Sequence, residues 1–270
     1  MPVCYRHPNR ETGVACSNCG RPICPDCMTT TPVGMRCPEC ARERTRVRRY
    51  SGGAFEQPTV TYALIVVNVI VELASLLGGG SGAAGLGSSA ILRDGALSRA
   101  TVAHGDVWRI VTSGFIHAGL THLLFNMLSL WILGSLLEPV AGRARFLLIY
   151  FCSLLAGSFG ALVAQPVGYT VGASGAIFGL LGAAIIVLRS RGINPMESGL
   201  VFWLGFNLLL SFTISGISIG GHIGGLVGGT LAAIALYEVG PRLRLPFAVT
   251  GGLVALLGAA AVAGAIGISA

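Results

Sequence analysis

The chain has 270 residues, of which 53% are hydrophobic and only 11% are charged. Soluble domains carry roughly 25% charged residues, so this composition excludes an ordinary soluble protein. Residues 1–58 hold 14 of the 29 charged side chains, which divides the chain into a small polar head and a large apolar body. All 18 basic residues are arginines, and the net charge is +7. Most arginines lie beside apolar runs, which is typical of membrane orientation signals rather than of nucleic-acid binding.

The polar head contains seven of the eight cysteines, arranged in pairs separated by two residues. Its eight potential metal ligands are Cys4, His7, Cys16, Cys19, Cys24, Cys27, Cys37 and Cys40. Because a structural zinc site takes four ligands, this set predicts two closed zinc sites within residues 1–41, paired either sequentially or in a cross-brace. Disulfides fit less well, since seven cysteines would leave one thiol over. A head this small also needs a metal to fold.

The ligand order of the head, one Cys-x2-His pair followed by three Cys-x2-Cys pairs, resembles that of B-box zinc fingers. A closed zinc site performs no chemistry, and the arginines of the head alternate with acids. We therefore expect the head to bind a cytosolic protein or to regulate the body, and we do not expect it to bind nucleic acid. We also expect no signal peptide, because residues 1–20 lack a continuous apolar stretch.

A basic juxtamembrane linker over residues 42–59 precedes seven apolar stretches. A spanning helix needs about 20 apolar residues, and the fourth and fifth stretches are the shortest. The predicted spans are Val60–Leu77, Leu120–Leu137, Phe146–Val163, Ser174–Leu188, Leu200–Ser215, Gly220–Leu236 and Leu245–Ile266. They predict an all-α, polytopic membrane helical bundle, with a six-helix core over residues 60–240 and a further helix over residues 241–270.

Arginines in the loops orient these spans. The linker and the loops after the second, fourth and sixth spans hold eleven arginines, whereas the segments on the opposite side hold three. The positive-inside rule therefore places the head in the cytosol and the carboxyl terminus outside. The second, fourth and sixth spans then begin at the same outer level, and we expect the polar residues at their starts to converge.

The second span carries His122 and Asn126, which share one helix face because they are four residues apart. Polar side chains within a membrane are costly unless they are paired or face a wet cavity. For either residue alone, hydrogen bonding between helices is the simpler explanation.

The fourth span begins at Ser174. The nearby Gly175 and Gly179 form a GxxxG pattern, which by itself is typical of close helix packing. A serine at a helix start is also a candidate nucleophile, because free backbone N–H groups there can bind an oxyanion. The motif alone leaves both explanations open.

The sixth span begins with His222 among glycines, which allow another helix to come close. A buried polar residue satisfied within the bundle is one explanation. With Ser174, His222 suggests a Ser–His dyad in which the imidazole takes the proton of the serine. Glu72, Asp94 and Asp106 have no spacing that ties them to His222, so we predict a two-residue apparatus oriented by packing.

In combination, three motifs resemble those of the rhomboid family of intramembrane serine proteases. They are His117-x4-His122-x3-Asn126, Gly172-x-Ser174-Gly175 and Gly221-His222-x2-Gly225. The resemblance covers roughly residues 60–240. It extends to Trp108-Arg109 after the first span and to Glu138 and Arg143 after the second. The seventh span resembles the six-plus-one arrangement of some family members.

The resemblance implies a role for each motif. Ser174 would be the nucleophile and His222 the general base, while His122, Asn126 and the backbone N–H of Ser174 would bind the oxyanion. The supporting positions are His117, Phe178, Gly172 and Gly175. Phe178 matches the aromatic position that packs on the catalytic histidine, where the family often has tyrosine.

The activity implied is endoproteolysis of transmembrane segments of other membrane proteins near their outer end, with no catalytic cofactor. The all-arginine, Ala- and Gly-rich composition would suit a bacterium, so we expect the plasma membrane as the location. The expected partners are these substrates and the lipid bilayer, and the two zinc ions would be structural. One alternative is a non-proteolytic client-binding protein of the rhomboid-like type, against which the presence of both Ser174 and His222 argues. The other is a transporter, which should show repeated halves or polar groups spread through the bilayer.

Overall fold

The computed structural model describes residues 1–32, 34–42, 57–78, 89–213 and 216–270. The chain divides into two units, Met1–Ala54 and Phe55–Ala270, each with its own internal contacts. Most of the predicted basic linker, residues 43–56, lies outside the described residues.

The first unit is small and consists mainly of turns. Its regular elements are a 3-10 turn at Pro25–Cys27, strands β1 (Thr29–Thr31) and β2 (Gly34–Arg36), and helix α1 (Pro38–Arg42). The strands pair in antiparallel fashion, with Thr30 opposite Met35. The buried centre consists of Ile23 and six of the cysteines, so its interior is made almost wholly of potential metal ligands.

The second unit is helical. Its helices are α2 (Thr59–Leu77), α3 (Ala90–Gly95), α4 (Arg99–Ala103), α5 (Arg109–Thr112), α6 (Leu120–Ala141), α7 (Arg143–Ala164), α8 (Ser174–Ser190), α9 (Leu200–Thr213), α10 (Ile219–Ile234), α11 (Gly240–Arg242) and α12 (Phe247–Gly267). A π-helical turn at Ala235–Val239 joins α10 to α11. Each of the seven predicted spans coincides with a helix.

Five helices in the described part of the chain are long and apolar enough to cross a membrane. The two shorter apolar helices are α8, with 17 residues, and α9, with 14. These are the two spans that the sequence marks as shortest. The predicted polytopic helical membrane protein is therefore confirmed.

Glycine lets helices α7, α8 and α10 touch through their backbones. A Cβ atom on Gly225 of α10 would overlap the carbonyl oxygen of Gly175 in α8, and one on Gly229 would overlap that of Gly179. Gly220 has the same relation to Gly160 of α7. Small residues permit such close packing where burial of apolar surface gives no driving force between helices. The contacts hold the starts of α8 and α10 side by side.

The loop arginines gather at one end of the helical unit. Arg189, at the end of α8, forms an ion pair with Glu238. Arg191 donates to the backbone carbonyl of Val140 near the end of α6, at 3.2 Å. The Arg145 guanidinium, near the start of α7, lies 5.2 Å from the ring centre of Phe247 at the start of α12. The second, fourth and sixth predicted spans therefore end at the side where the third and seventh begin. This is expected when successive spans cross a membrane in opposite directions.

Glu138 joins helices α6 and α2 at that end. Its buried carboxylate accepts hydrogen bonds from the backbone N–H groups of Val60 and Thr61, at 2.9 and 2.8 Å, and from the Thr61 hydroxyl at 2.7 Å. The first N–H groups of a helix have no partner within the helix, and the helix dipole favours an anion there. Glu138 therefore caps α2 from a neighbouring helix.

At the opposite end of the helical unit, Trp108 and Arg109 form hydrogen bonds to the segment that contains α3. The Arg109 guanidinium donates to the backbone carbonyls of Arg93 and Ala96, at 2.6 and 3.1 Å. The Trp108 indole donates to the carbonyl of Asp94 at 3.3 Å. These bonds hold α3 and the turn that follows it against α5.

Replacing Gly225 with alanine should destabilise the helical unit, because the added methyl group would meet the backbone of α8. Overpacking of a tight contact costs about 1–3 kcal/mol. The matched control is Gly252→Ala in α12, where nothing lies within 4 Å of the added atom. Thermal unfolding in detergent micelles should show a lower midpoint for Gly225→Ala and an unchanged or slightly higher one for Gly252→Ala. Equal midpoints for both variants would contradict the proposed backbone contact.

Candidate active site and metal-binding clusters

Ser174 is the first residue of α8 and is half-buried. The chain enters the helix through Gly172, whose φ of +121° favours glycine. The Gly172 N–H donates to the carbonyl of Ser113 at 2.9 Å, which holds this segment against the loop before α6. Since the N–H groups of a helix's first turn are free, the side chain and backbone of Ser174 present a hydroxyl and an amide donor together.

His222 lies in the first turn of α10 and is 7% exposed. Its ring stacks on Phe178, one turn after Ser174, with the ring centres 4.1 Å apart and an interplanar angle of 17°. A Cβ atom on Gly175 would lie 3.2 Å from the carbonyl oxygen of Gly221, so the immediate neighbours of Ser174 and His222 are in contact. The structure thus brings the two residues onto adjoining helix starts, at the same level. It records no hydrogen bond within 3.5 Å between these two described side chains.

His122 places an N–H donor beside Gly172, close to the Ser174 hydroxyl. The backbone N–H of Ala118 donates to Nδ1 of His122 at 3.3 Å. Nδ1 must therefore carry the lone pair, and in neutral imidazole the proton is then on Nε2. A Cβ atom on Gly172 would lie 2.9 Å from this Nε2 and 3.8 Å from Ser174 Oγ. The N–H of His122 and the Ser174 hydroxyl thus flank one point beside Gly172.

Asn126 and His117 surround His122. Asn126 is buried, and its amide donates to the backbone carbonyl of His122 at 2.9 Å, which leaves the second amide hydrogen for another acceptor. The His117 ring meets that of His122 edge-on, with centres 5.2 Å apart. Neither ring nitrogen of His117 has a hydrogen-bond partner among the described residues. His117 therefore supports the ring of His122 by packing.

A cavity of about 30 Å³ adjoins Ser174. This volume suffices for a water molecule, which also needs polar partners. The polar side chains that line it are Ser113, Ser158, Thr170, Ser174 and Ser218. The cavity therefore has the space and the hydrogen-bonding groups to hold a water molecule beside the serine.

Sequence reasoning missed one residue of the site. The hydroxyl oxygen of Ser211, in the last turn of α9, lies 2.6 Å from Nδ1 of His222. No sequence signal marks this serine, because a serine within a span is typical of helix packing. The structure therefore gives His222 a polar contact in addition to its packing on Phe178.

The cysteines and His7 of the first unit form two clusters. The first cluster contains Cys4, His7, Cys24 and Cys27, and the second contains Cys16, Cys19, Cys37 and Cys40. Within each, the ligand atoms lie within 4.8 Å of one another. The first pair in the sequence thus joins the third, and the second joins the fourth. This is the cross-brace, one of the two pairings that the spacing left open.

The local chemistry of the clusters suits a metal ion. His7 Nδ1 lies 3.3, 3.5 and 3.8 Å from the sulfurs of Cys24, Cys27 and Cys4. In the second cluster, the backbone N–H of Cys37 donates to the sulfur of Cys16 at 3.3 Å, and this bond, together with other hydrogen bonds to the same sulfur, lowers the pKa of the Cys16 thiol to about 6 against the opposing effect of burial. Since the thiolate is the form that binds metals, the protein environment favours the ligand state of Cys16.

These features define an integral membrane protein with a serine and two histidines gathered where three of its helices begin. Comparison with known families agrees with this class. The family model described as Rhomboid domain matches residues 104–239. The match includes His117, His122, Asn126, Ser174 and His222, and it leaves out the metal clusters and α12.

Relatives occur in bacteria and in eukaryotes, including plants. The chain is 37% identical over 183 residues to "Rhomboid protease GluP" of Bacillus subtilis (strain 168), covering 67% of this chain and 35% of that protein. It is 43% identical over 134 residues to "Putative rhomboid protease YdcA" of the same organism, covering 48% and 67%. It is 37% identical over 143 residues to "RHOMBOID-like protein 1" of Arabidopsis thaliana, covering 51% and 36%. The chain belongs to the rhomboid family, although it spans only about a third of the length of GluP.

The cross-brace can be tested by counting metal ions in double variants of the full chain. Cys4→Ser with Cys24→Ser alters one cluster, so this variant should lose one of two bound ions. Cys4→Ser with Cys16→Ser alters both clusters and should lose two. Inductively coupled plasma mass spectrometry of the purified proteins gives the stoichiometry. Sequential pairing predicts the reverse result, because it would place Cys4 with Cys16 and Cys24 in the other site.

Proposed function

We propose that this chain is an intramembrane serine endopeptidase, with Ser174 as nucleophile and His222 as general base. The observation that carries the proposal is that three groups from three helices lie at the start of α8, two of them flanking one point beside Gly172 and the third stacked one turn along the helix. They are the Ser174 hydroxyl, the N–H of His122, and the His222 ring stacked on Phe178. Membership of a family in which GluP and YdcA are named as proteases supports the same assignment.

The proposed reaction has two stages. The proton of the Ser174 hydroxyl passes to Nε2 of His222 as Oγ forms a bond to the scissile carbonyl carbon. The tetrahedral intermediate then collapses, the C–N bond breaks, and His222 gives its proton to the leaving amine. In the second stage, a water molecule gives a proton to His222 as its oxygen bonds to the acyl carbon. The bond from that carbon to Ser174 Oγ then breaks, His222 returns the proton to Oγ, and the carboxylic acid product leaves. The Ser–His hydrogen bond is often long in enzymes without substrate and tightens on binding, which is consistent with its absence here.

An oxyanion would be stabilised by donors that are already in place. His122 offers Nε2–H, Asn126 has one amide hydrogen to spare, and Ser174 contributes its backbone N–H at the helix start. Fixed donors of this kind act strongly in a site with little water, because they need no reorganisation during the reaction.

The proposed substrates are transmembrane segments of other proteins, cut near their outer end in the bilayer. Ser174 and His222 begin helices whose other ends carry the loop arginines, and the positive-inside rule places those arginines in the cytosol. The site would then lie close to the external water, at the plasma membrane. The first unit would be cytosolic and the carboxyl terminus external.

We further propose that the ions in the two clusters are zinc. A tetrahedral site with Zn–S of about 2.3 Å and Zn–N of about 2.0 Å separates sulfur from nitrogen by about 3.5 Å. The three sulfur–Nδ1 distances of 3.3 to 3.8 Å fit this geometry. The ions would stabilise the first unit and take no part in proteolysis, and a cytosolic protein is the proposed partner of this unit.

Ser174→Ala and His222→Ala should each abolish cleavage of a transmembrane model substrate by the purified protein, without unfolding the bundle. The matched control is Ser190→Ala at the exposed far end of the same helix, which should cleave like wild type. Gel analysis of products in lipid vesicles gives the measurement. Cleavage that survives in Ser174→Ala would refute the nucleophile. If wild type makes no product, a client-binding role becomes the better account.

Gly172→Ala should reduce cleavage about 10- to 1,000-fold, because the added methyl group would press on the His122 ring and displace an oxyanion donor. The control is Gly168→Ala, in which the added methyl group meets nothing within 4 Å. Both glycines have positive φ, +121° and +105°, so the two variants carry similar backbone strain. An equal loss in both would assign the effect to strain and not to His122.

A further inference from the structure

We infer that Ser211 is the positioning residue of His222 and fixes the imidazole in the tautomer that a general base requires. This inference rests on the proposed function of His222. It supplies the dyad with a third member that is a hydroxyl group on a neighbouring helix, instead of an acid. The observations that carry it are two hydrogen bonds and the burial of the residues that make them.

The first observation concerns the single proton of the Ser211 hydroxyl. Ser211 Oγ lies 2.8 Å from the backbone carbonyl of Asn207, one turn earlier in α9, and donates to it. A carbonyl oxygen can only accept, so this bond uses the one proton that the hydroxyl has to give. The lone pairs of Ser211 Oγ are left for any other neighbour.

The second observation is that His222 Nδ1 lies 2.6 Å from the same oxygen. The serine has one proton to give, so the two contacts are hydrogen bonds at the same time only if Nδ1 carries a proton and donates it to Ser211 Oγ. A neutral imidazole protonated on Nδ1 has its lone pair on Nε2. This is the tautomer that can accept a proton from Ser174.

Burial makes the arrangement specific. Ser211 is 3% exposed and His222 is 7% exposed, so water competes poorly for either group. The face of the ring is held by Phe178 from α8, while its edge is held by Ser211 from α9. In the opposite tautomer the Ser211 hydroxyl would have to turn its proton to Nδ1 and give up its hydrogen bond to the Asn207 carbonyl, so only the Nδ1–H tautomer keeps both hydrogen bonds.

The same chain of bonds assists when the imidazole becomes positively charged. Nδ1–H remains a donor in imidazolium, and the Ser211 oxygen still accepts from it. The Asn207 carbonyl polarises that hydroxyl from behind, which strengthens the bond to a cation. A neutral hydroxyl stabilises the cation less than a carboxylate would, so its main contribution is orientation and tautomer choice.

The test uses the full chain in detergent micelles and three variants. Ser211→Ala removes the acceptor, and Ser211→Thr keeps a hydroxyl that can bond the same carbonyl. Ser153→Ala is the matched control, because Ser153 is fully buried and donates to the carbonyl of Ile149 four residues earlier, at 2.6 Å, with no bond to a histidine. Nitrogen-15 spectra of histidine-labelled protein report which ring nitrogen is protonated, with the His222 signals assigned from the His222→Ala variant.

We expect Nδ1–H for His222 in wild type, Ser211→Thr and Ser153→Ala, and a shift toward Nε2–H in Ser211→Ala. We expect kcat of Ser211→Ala to fall about 10- to 100-fold, with KM little changed, because part of the general-base effect of about 10²–10⁴ is lost. Full activity in Ser211→Ala, or a wild-type signal showing Nε2–H, would overturn the inference, as would an equal loss in Ser153→Ala. The tautomer is measured without substrate, so this result separates a failure of the inference from a failure of the proposed protease activity.

Discussion

The position of the site depends on one constraint, the backbone contact between α8 and α10 at Gly175 and Gly225. A side chain at either position would separate the helices, and with them the serine and histidine at their starts. Each polar side chain alone would be energetically costly within an apolar helical bundle. The glycines convert two such residues into neighbours, and Phe178, one turn along α8, then lies where it can stack on the histidine.

Two histidines of the site hold their protons on opposite ring nitrogens. The Ala118 N–H leaves His122 with a proton on Nε2, whereas Ser211 favours a proton on Nδ1 of His222. In the proposed mechanism, His122 must donate to an oxyanion and His222 must accept a proton from Ser174, so each needs the tautomer that its neighbour imposes. One residue type thus serves two opposite roles, and the difference arises from a backbone amide in one case and a hydroxyl in the other.

Much of this arrangement could be predicted from the sequence, because the signals are strong and local. Long apolar stretches identify the helices, and Cys-x2-Cys spacing identifies the candidate metal ligands. Because successive spans run in opposite directions, the starts of the fourth and sixth spans, with Ser174 and His222, lie at one level. Two features could not be predicted. The choice of the cross-brace depends on how turns such as Pro25–Cys27 and the β1–β2 hairpin fold, and both pairings satisfy the spacing equally. The contact of Ser211 depends on the depth and rotation of α9, which hydropathy does not determine.

A covalent probe can show whether His222 activates the Ser174 hydroxyl. A fluorophosphonate reacts with a serine only where a neighbouring base makes that serine nucleophilic. Intact-mass and peptide mass spectrometry of the full chain in micelles should show one adduct, on Ser174, in wild-type protein. The adduct should be absent from His222→Ala protein that retains its fold. Modification of a different serine, or undiminished modification of Ser174 without His222, would contradict the account.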